Sequence, residues 1–334
     1  MRVVVTGGAG FIGRHLVAQL IGQGHDVHVL DTRMAKSLEG STVGDVRDPD
    51  CVRMVVQGAD VVCHLAAKVG LGVDVQDTPD YADVNVRGTA TVLAAMAEQQ
   101  VYRLVLASSM VVYGEGIGRC TEHGDVTPAA RAEIDLRAGR FEAGCPRCGC
   151  ALGPALIDED GRLDPRNAYA ASKLAQEHFA SSWARAVGGS VVSMRYHNVY
   201  GPGMPKDTPY AGVAAIFRSM LLRGESPRVF EDGRQRRDFI HVCDVAAATV
   251  AAVERHESGA VALNVGSGAA HTILAMADSL ALAAGGPKPQ VTGEYRLGDV
   301  RHITADSSRL RCLFGWHPQV GFAAGVRELM HTSE

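Results

Sequence analysis

Three groups of residues carry side chains that could do chemistry. Tyr169-Ala-Ala-Ser-Lys173 sets a phenol and an amine four residues apart, one turn apart on one face if the stretch is helical. An ammonium beside a phenol favours the phenolate, so Tyr169 becomes a candidate general base below its ordinary pKa of about 10. Cys120-Thr-Glu-His123 and Cys145-Pro-Arg-Cys148-Gly-Cys150 combine C-x-x-H with C-x-x-C. That spacing supplies four tetrahedral ligands for a structural zinc (Cys120, His123, Cys145, Cys148), with Gly149 in the tight turn. Cys150 can replace one ligand, and reduced thiols or an oxidised pair are the alternatives. Gly7-Gly-Ala-Gly10-Phe11-Ile12-Gly13 lets backbone approach a pyrophosphate seated on a helix N-terminus.

The surrounding elements show what must hold these groups. Arg2–Thr6 reads as a buried strand, and Leu16, Val17 and Leu20 give the helix after the glycine run its apolar face. The next strand, from His25, ends at Asp31, eighteen residues beyond Gly13, where a carboxylate can bind the adenosine ribose hydroxyls. This favours NAD over NADP; Arg33 is either the residue that would meet a 2′-phosphate or a solvated loop arginine. Asp45 and Val46 border the adenine. Leu65, Ala66 and Ala67 end the strand from Asp60 and leave room for a cofactor over the sheet edge. Tyr81 to Gln99 reads as one helix, in which Asn85 is a cofactor-side contact or a surface amide. The strand from Tyr102 to Ala107 delivers Ser109 at its C-terminal end, and Asn167 to Val187 is the helix of Tyr169. Such alternation calls for an α/β fold built on a doubly wound parallel sheet.

With 334 residues, 46% apolar and 21% charged, the chain can bury a full core and hold a second lobe. A net charge of -4 argues against nucleic acid or a membrane surface as partner. No apolar run approaches the length of about 18 residues that a span needs, and Met1 leads directly into a strand, so the expected compartment is the cytoplasm. Eight scattered or clustered cysteines suit free thiols and one metal site better than a disulfide framework. His64 and His241 read as core histidines, and His197 as a neighbour of the nicotinamide.

Together with His64-Leu-Ala-Ala67, Ser108-Ser109 before Tyr113-Gly114, Arg195-Tyr-His-Asn198-Val-Tyr-Gly-Pro202, Arg237-Asp-Phe-Ile-His-Val242 and Arg296-Leu-Gly-Asp299, these motifs resemble the extended short-chain dehydrogenase/reductases that act on nucleotide sugars. Within them the chain most resembles the dTDP-L-rhamnose 4-epimerase group, through Ala67-Lys-Val-Gly-Leu-Gly72, Ser109–Gly116, Gly212–Phe217, Phe230–Gln235 and the cysteine-bearing insert. The resemblance implies a Rossmann domain over residues 1–195 with a zinc-binding insert at 117–160. It also implies a smaller C-terminal substrate lobe over 196–334, from which about 238–266 returns to the sheet.

It further implies that Tyr169 takes the proton of the sugar C4 hydroxyl while NAD takes the hydride, and that the 4-ketose turns over before the hydride returns. Lys173 would hold the nicotinamide ribose and depress the tyrosine pKa; Ser109 would bond the C4 oxygen. Asn198 would meet the sugar diphosphate, and Arg237 and Arg296 would clamp it; without the resemblance, those arginines read as surface partners of Asp238 or Asp299. Relatives that dehydrate at C5 and C6 carry an Asp-Glu pair where this chain has Met110 and Val111, which transfer no proton. The expected function is a dTDP-6-deoxyhexose 4-epimerase, with an NAD(P)H-dependent 4-ketoreductase and a non-catalytic cofactor sensor as alternatives. A homodimer through helices 81–99 and 169–187 is implied by the resemblance. Nucleic-acid binding through the cysteine knuckle lacks a basic, aromatic surface around it.

Overall fold

The computed structural model describes residues 1–33, 40–70, 74–205 and 212–332; Leu71 and Gly72 lie outside them. Near-continuous apolar, β-branched runs are buried on both faces in a parallel sheet covered by helices. Strands β1 (Arg2–Thr6), β2 (Asp26–Asp31), β3 (Ser41–Val43), β4 (Val61–His64), β5 (Arg103–Ser109), β6 (Ser190–Tyr196) and β7 (Gly259–Val265) form that sheet. All pairs are parallel, in the order β7-β6-β5-β4-β1-β2-β3. The chain winds outward from β1 to β3, then restarts at β4 and winds the other way. The crevice between the C-terminal ends of β1 and β4 is therefore the switch point where such sheets take ligands.

Period-two alternation divides the core. Val3 and Val5 turn to one face, where they meet Leu16, Val17 and Leu20 of α1 (Phe11–Gly22) and Val245 and Val253 of the helix Val242–Glu254. Val4 turns to the other face, against Val52, Val55, Val92, Met96 and Trp183. A separate cluster of Tyr200, Phe217, Phe239, Met276 and Leu329 fills the C-terminal lobe. In that lobe Arg236–His241 pairs with Asn198–Tyr200, Ala270–Thr272 and His302–Ile303. No helix among the described residues is long and apolar enough to cross a membrane.

The stretch read as one helix from Tyr81 to Gln99 is not uniform. An α-turn at Thr78–Tyr81 runs into a widened π-turn at Ala82–Arg87 before the α-helix Gly88–Glu98. The wide turn swings Asn85 inward, where it is fully buried, so the surface-amide reading of that residue is corrected. Its Oδ1 accepts the Lys68 N–H (2.7 Å), and its Nδ2 donates to the Lys68 carbonyl (3.0 Å) and the Ser172 hydroxyl (2.8 Å). π-turns of this kind recur at functional sites.

Residues 117–160 form a small appendage. Gly118–Cys120 pairs antiparallel with Gly124–Val126 and with Gly153–Pro154, and a short helix spans Glu133–Arg137. Its own apolar cluster consists of Cys120, Val126, Cys145 and Leu152, too little buried surface to order so many residues unaided.

Candidate functional site

The switch-point crevice opens into a cavity of about 810 Å³. Gly7, Gly10, Phe11, Ile12 and Gly13 line one end, with Asp31, Asp45 and Val46 beyond them. Leu65, Ala66 and Ala67 line its wall, and Ser109, Tyr169, Lys173, His197 and Asn198 its other end. The glycine turn has no room for side chains. A Cβ on Gly7, whose φ is +75°, would sit 2.6 Å from the Ala66 nitrogen, and one on Gly13 would sit 2.2 Å from the Gly7 carbonyl oxygen. Backbone and helix N-terminus thus face the cavity directly, as a pyrophosphate requires.

Asp31 is buried and anchored at the rim. Its carboxylate accepts the Ala9 and Arg33 backbone N–H groups, each at 3.0 Å. The Arg33 side chain is 72% exposed, with Nε 3.8 Å from Asp31, a solvated loop arginine beside the carboxylate. Arg47, which sequence reasoning passed over, ties Asp45 to Asp83 across the rim (Nη2–Oδ2 2.6 Å; Nη1–Oδ2 2.5 Å). The Asp45-Val-Arg47 run is the local signal for it.

Tyr169 and Lys173 stand on the helix Ala168–Val187, whose first turn is capped by Asn167 Oδ1 accepting the Ala170 N–H at 2.8 Å. Ser172, between them, donates to the Tyr169 carbonyl (2.8 Å) while receiving the Asn85 amide. Asn85 thus stands behind the cavity wall, holding the turn that carries both residues. One turn on, Glu177 receives both Arg195 Nε (3.0 Å) and Nη2 (2.8 Å) as well as the Ser108 hydroxyl. A second chain of bonds runs beneath the glycine turn: Thr6 Oγ1 to His64 Nδ1 (2.7 Å), His64 Nε2 to Thr89 Oγ1 (2.9 Å), and Gln176 Nε2 to Thr89 Oγ1 (2.6 Å). These buried networks fix the catalytic helix against β1, β4 and β5.

Electrostatically the tyrosine departs from the sequence expectation. Burial pushes its pKa up to about 12, against a lowering hydrogen bond with Ser109. Lys173 is itself drawn down to about 8 by burial, and its Nζ donates to the Ala107 carbonyl at 2.9 Å. The lysine is committed to the strand backbone, so the expected depression of Tyr169 by Lys173 is corrected. Burial also lowers the pKa of His197 and of His241, which keeps both rings neutral near pH 7. Asn198 keeps a buried Oδ1 without a hydrogen-bond partner among the described residues, a polar atom that a ligand in the cavity would satisfy.

The two clamp candidates lie outside the cavity lining. Arg237 is enclosed by carbonyls, with Nη1 on Arg236 (2.8 Å) and Arg301 (3.0 Å) and Nη2 on Val300 (2.6 Å). Asp238 is taken up by Ser267 and Gly268, so the surface pair of Arg237 with Asp238 does not form. Arg296 is exposed and stacks its guanidinium 4.9 Å from the Phe230 ring centre.

In the appendage, one ligand atom each from Cys120, His123, Cys145 and Cys148 falls within 4.8 Å of the others. Cys120 Sγ lies 3.5 Å from His123 Nδ1 and 3.6 Å from Cys148 Sγ, and Cys145 Sγ 3.7 Å from His123 Nδ1. A tetrahedral zinc with bonds of about 2.0–2.3 Å has ligand-to-ligand edges of roughly 3.5–3.8 Å, so the donor set fits that ion. Cys150 is exposed and stands outside the set.

The description "NAD dependent epimerase/dehydratase family" matches residues 3–131 and 150–266. The chain is 33% identical to a dTDP-L-rhamnose 4-epimerase of Burkholderia thailandensis, over 98% of this chain and 93% of that protein. Its fold superposes on MoeE5 in complex with UDP-glucuronic acid and NAD (TM-score 0.80, 29% identity, 99% and 98% covered). The UDP-glucose 4-epimerase of Thermus thermophilus in complex with NAD is similar too (TM-score 0.77, 30% identity, 99% and 98% covered). With the glycine turn, the switch-point cavity and Tyr169 and Lys173 all within matched segments, the chain belongs to the NAD-dependent epimerase/dehydratase family.

Proposed function

We propose that the protein is a nucleotide-sugar 4-epimerase that inverts C4 of a dTDP-6-deoxyhexose of the dTDP-L-rhamnose and dTDP-6-deoxy-L-talose type. The observation that carries this reading is the convergence of Ser109, Tyr169 and Lys173 with Asn198 at one end of a cavity whose other end is the glycine turn. The dTDP-sugar is favoured by the 33% identity to the Burkholderia enzyme, and Met110 and Val111 offer no acid for a dehydration.

Gly7, Gly10, Gly13, Asp31, Asp45 and Val46 would hold NAD, which when bound supplies the hydride acceptor and returns the hydride. Tyr169 Oη takes the C4 hydroxyl proton and gives it back to the C4 oxygen once the ketose has presented its other face; Ser109 Oγ bonds the C4 oxygen in both its alcohol and ketone forms. With its pKa raised by burial, Tyr169 needs further positive charge inside the cavity before it acts as a base near pH 7. Lys173, once released from the Ala107 carbonyl to a cofactor ribose, is placed to contribute. Arg237 and Arg296 bind the diphosphate, leaving the hexose loosely held so that the ketose can turn over. Zinc on Cys120, His123, Cys145 and Cys148 is structural, since four protein ligands leave no open position. The eight unbridged cysteines suit the cytoplasm, and Phe179, 48% exposed on the catalytic helix, suits a helix-to-helix homodimer.

Purified protein incubated with dTDP-L-rhamnose and no added cofactor should reach a fixed mixture with the talo epimer, followed by NMR of the anomeric and C4 protons. Absence of conversion of dTDP- and UDP-sugars, together with NAD(P)H oxidation on dTDP-4-keto-6-deoxyglucose, would replace the epimerase by a ketoreductase.

A further inference from the structure

The family match stops at residue 131 and resumes at 150, and the unmatched stretch holds Glu142, Cys145 and Cys148. Glu142 leads into the cysteine knuckle, where the Leu152 N–H bonds the Ala143 carbonyl at 3.0 Å and the Cys145 N–H the Cys150 carbonyl at 2.8 Å. Its carboxylate receives Arg301 Nη2 at 2.5 Å and His302 Nε2 at 2.8 Å. Arg301, 2% exposed, also pairs with Glu231 (2.8 Å) and Asp232 (2.7 Å). At the other border of the unmatched stretch Arg131 pairs with Glu231 at 2.8 Å, both side chains at most 3% exposed, and donates to the Asp299 carbonyl at 2.6 Å.

Two further arginines are tied to this network. Arg237 is held by the carbonyls of Val300 and Arg301, and Arg296 by the ring of Phe230, next to Glu231. Glu231 itself has φ +54°, a left-handed backbone that costs a non-glycine residue energy and persists only where its surroundings over-determine it. Arg131 and Arg301, grasping its two carboxylate oxygens, do so here.

We propose that the metal-closed knuckle is the positioning element of the diphosphate end of the substrate site, acting through Arg131 and Glu142 on Glu231, Asp232 and Arg301 to set Arg237 and Arg296. The inference rests on the reading of those two arginines as the diphosphate clamp. The metal replaces the core the appendage lacks, and with it Glu142 and Arg131 are held rigidly enough to fix the two loops. Arg131, Glu142, Glu231 and Arg301 are positioning residues; none touches the sugar or the cofactor.

The test uses the full-length protein with its bound NAD, comparing wild type with Cys148→Ser and Glu142→Gln. Metal content is read by elemental analysis, dTDP and UDP binding by calorimetry, and kcat and KM separately by epimerisation. Wild type should carry about one zinc per chain. Cys148→Ser should lose it, Glu142→Gln should keep it, and both should weaken nucleoside diphosphate binding and raise KM about tenfold or more, as misplaced positioning groups do. NAD content and kcat should change less than about threefold by the same logic, because the glycine turn and Tyr169 are untouched. Metal-free wild type, or Glu142→Gln with unchanged KM, overturns the proposal; should Cys148→Ser fail to fold, Glu142→Gln decides alone. A wild type that binds neither dTDP nor UDP instead refutes the clamp reading, and the inference falls with it.

Discussion

The two ends of the substrate path are built by different means. At the cofactor end, each functional residue stands at the end of a parallel strand or on the first turns of a helix; local supports, Asn167 capping Tyr169's helix and Ser172 bonding Tyr169's carbonyl, are backed by hydrogen bonds between elements such as Asn85 to Ser172. At the end proposed for the diphosphate, Arg237 and Arg296 sit beside residues 131, 142, 231, 232 and 301, whose paired members lie up to 159 positions apart in the chain and are joined by ion pairs centred on the buried Glu231 and Arg301. Regular secondary structure carries the first site. The second lies against an appendage with a small apolar core and four side chains grouped as metal ligands are.

If that contrast holds, damage at the cofactor end removes chemistry and leaves the fold, whereas damage at the other end removes both order and substrate affinity. The largest effect belongs to Tyr169→Phe. Loss of the general base should lower kcat by about 10²- to 10⁴-fold with NAD content and melting temperature close to wild type. A variant that instead melts early would show Tyr169 to be a packing residue and erase the distinction.

Glu231→Gln comes next and probes the opposite end. It leaves Arg131 and Arg301 facing a neutral amide in a site where both carboxylate oxygens were used. Removing one member of a buried ion network costs about 3 kcal/mol or more, so thermal unfolding should begin several degrees lower. Arg301 keeps Asp232 and Glu142, which places the cost at the low end of that range. An unchanged melting temperature would mean that the ion network orders nothing.

How far each end was legible in the sequence follows the same contrast. The glycine turn, the strand ends, Tyr169 with Lys173 and the C-x-x-H with C-x-x-C spacing are local patterns dictated by backbone geometry, and they stand where the spacing put them. The wide turn that buries Asn85 has no local signature, because its cause is a tertiary partner, Ser172, 87 residues away. Arg301 sits five residues from Arg296 and is the more buried of the two, yet only its distant partners distinguish it from a solvated arginine. Lys173's grip on the Ala107 carbonyl likewise required the strand and helix to be in place before the electrostatics of Tyr169 could be judged.

A pH titration sharpens the comparison from beneath the cofactor site. His64 is fully buried, and its ring nitrogens are committed, Nδ1 to Thr6 and Nε2 to Thr89. The Thr89 hydroxyl already donates to the Asn85 carbonyl at 2.6 Å, so Thr89 accepts from Nε2–H and leaves Nδ1 as the acceptor of the Thr6 hydroxyl. Protonating Nδ1 removes the acceptor of the Thr6 hydroxyl, and burial pulls the pKa down to about 3. The unfolded chain, with an ordinary histidine near 6.5, binds the proton more readily. Stability from this group is therefore full above about pH 6.5 and falls as pH drops toward 3, by up to about 1.4 kcal/mol per unit. His64→Gln, measured by denaturant unfolding between about pH 7 and 4, should flatten that slope; an equal slope in both proteins would assign acid sensitivity elsewhere.

The smallest effect tests whether the appendage is organised by its proposed metal site or by its surface. Arg119 and Asp125 face each other across the hairpin that carries Cys120 and His123, at 2.7 and 2.9 Å in bidentate geometry. Both side chains are largely in water, 67% and 46% exposed, where screening and side-chain entropy leave such pairs little net stability. Arg119→Ala should therefore shift the melting temperature by a degree or so at most, keep its zinc, and leave KM alone. Loss of metal in this variant would mean that the hairpin pair, rather than the four ligands, sets the knuckle's geometry. The path from knuckle to Arg237 and Arg296 would then begin at a surface ion pair and weaken with salt, an outcome that a KM measured across ionic strength would expose directly.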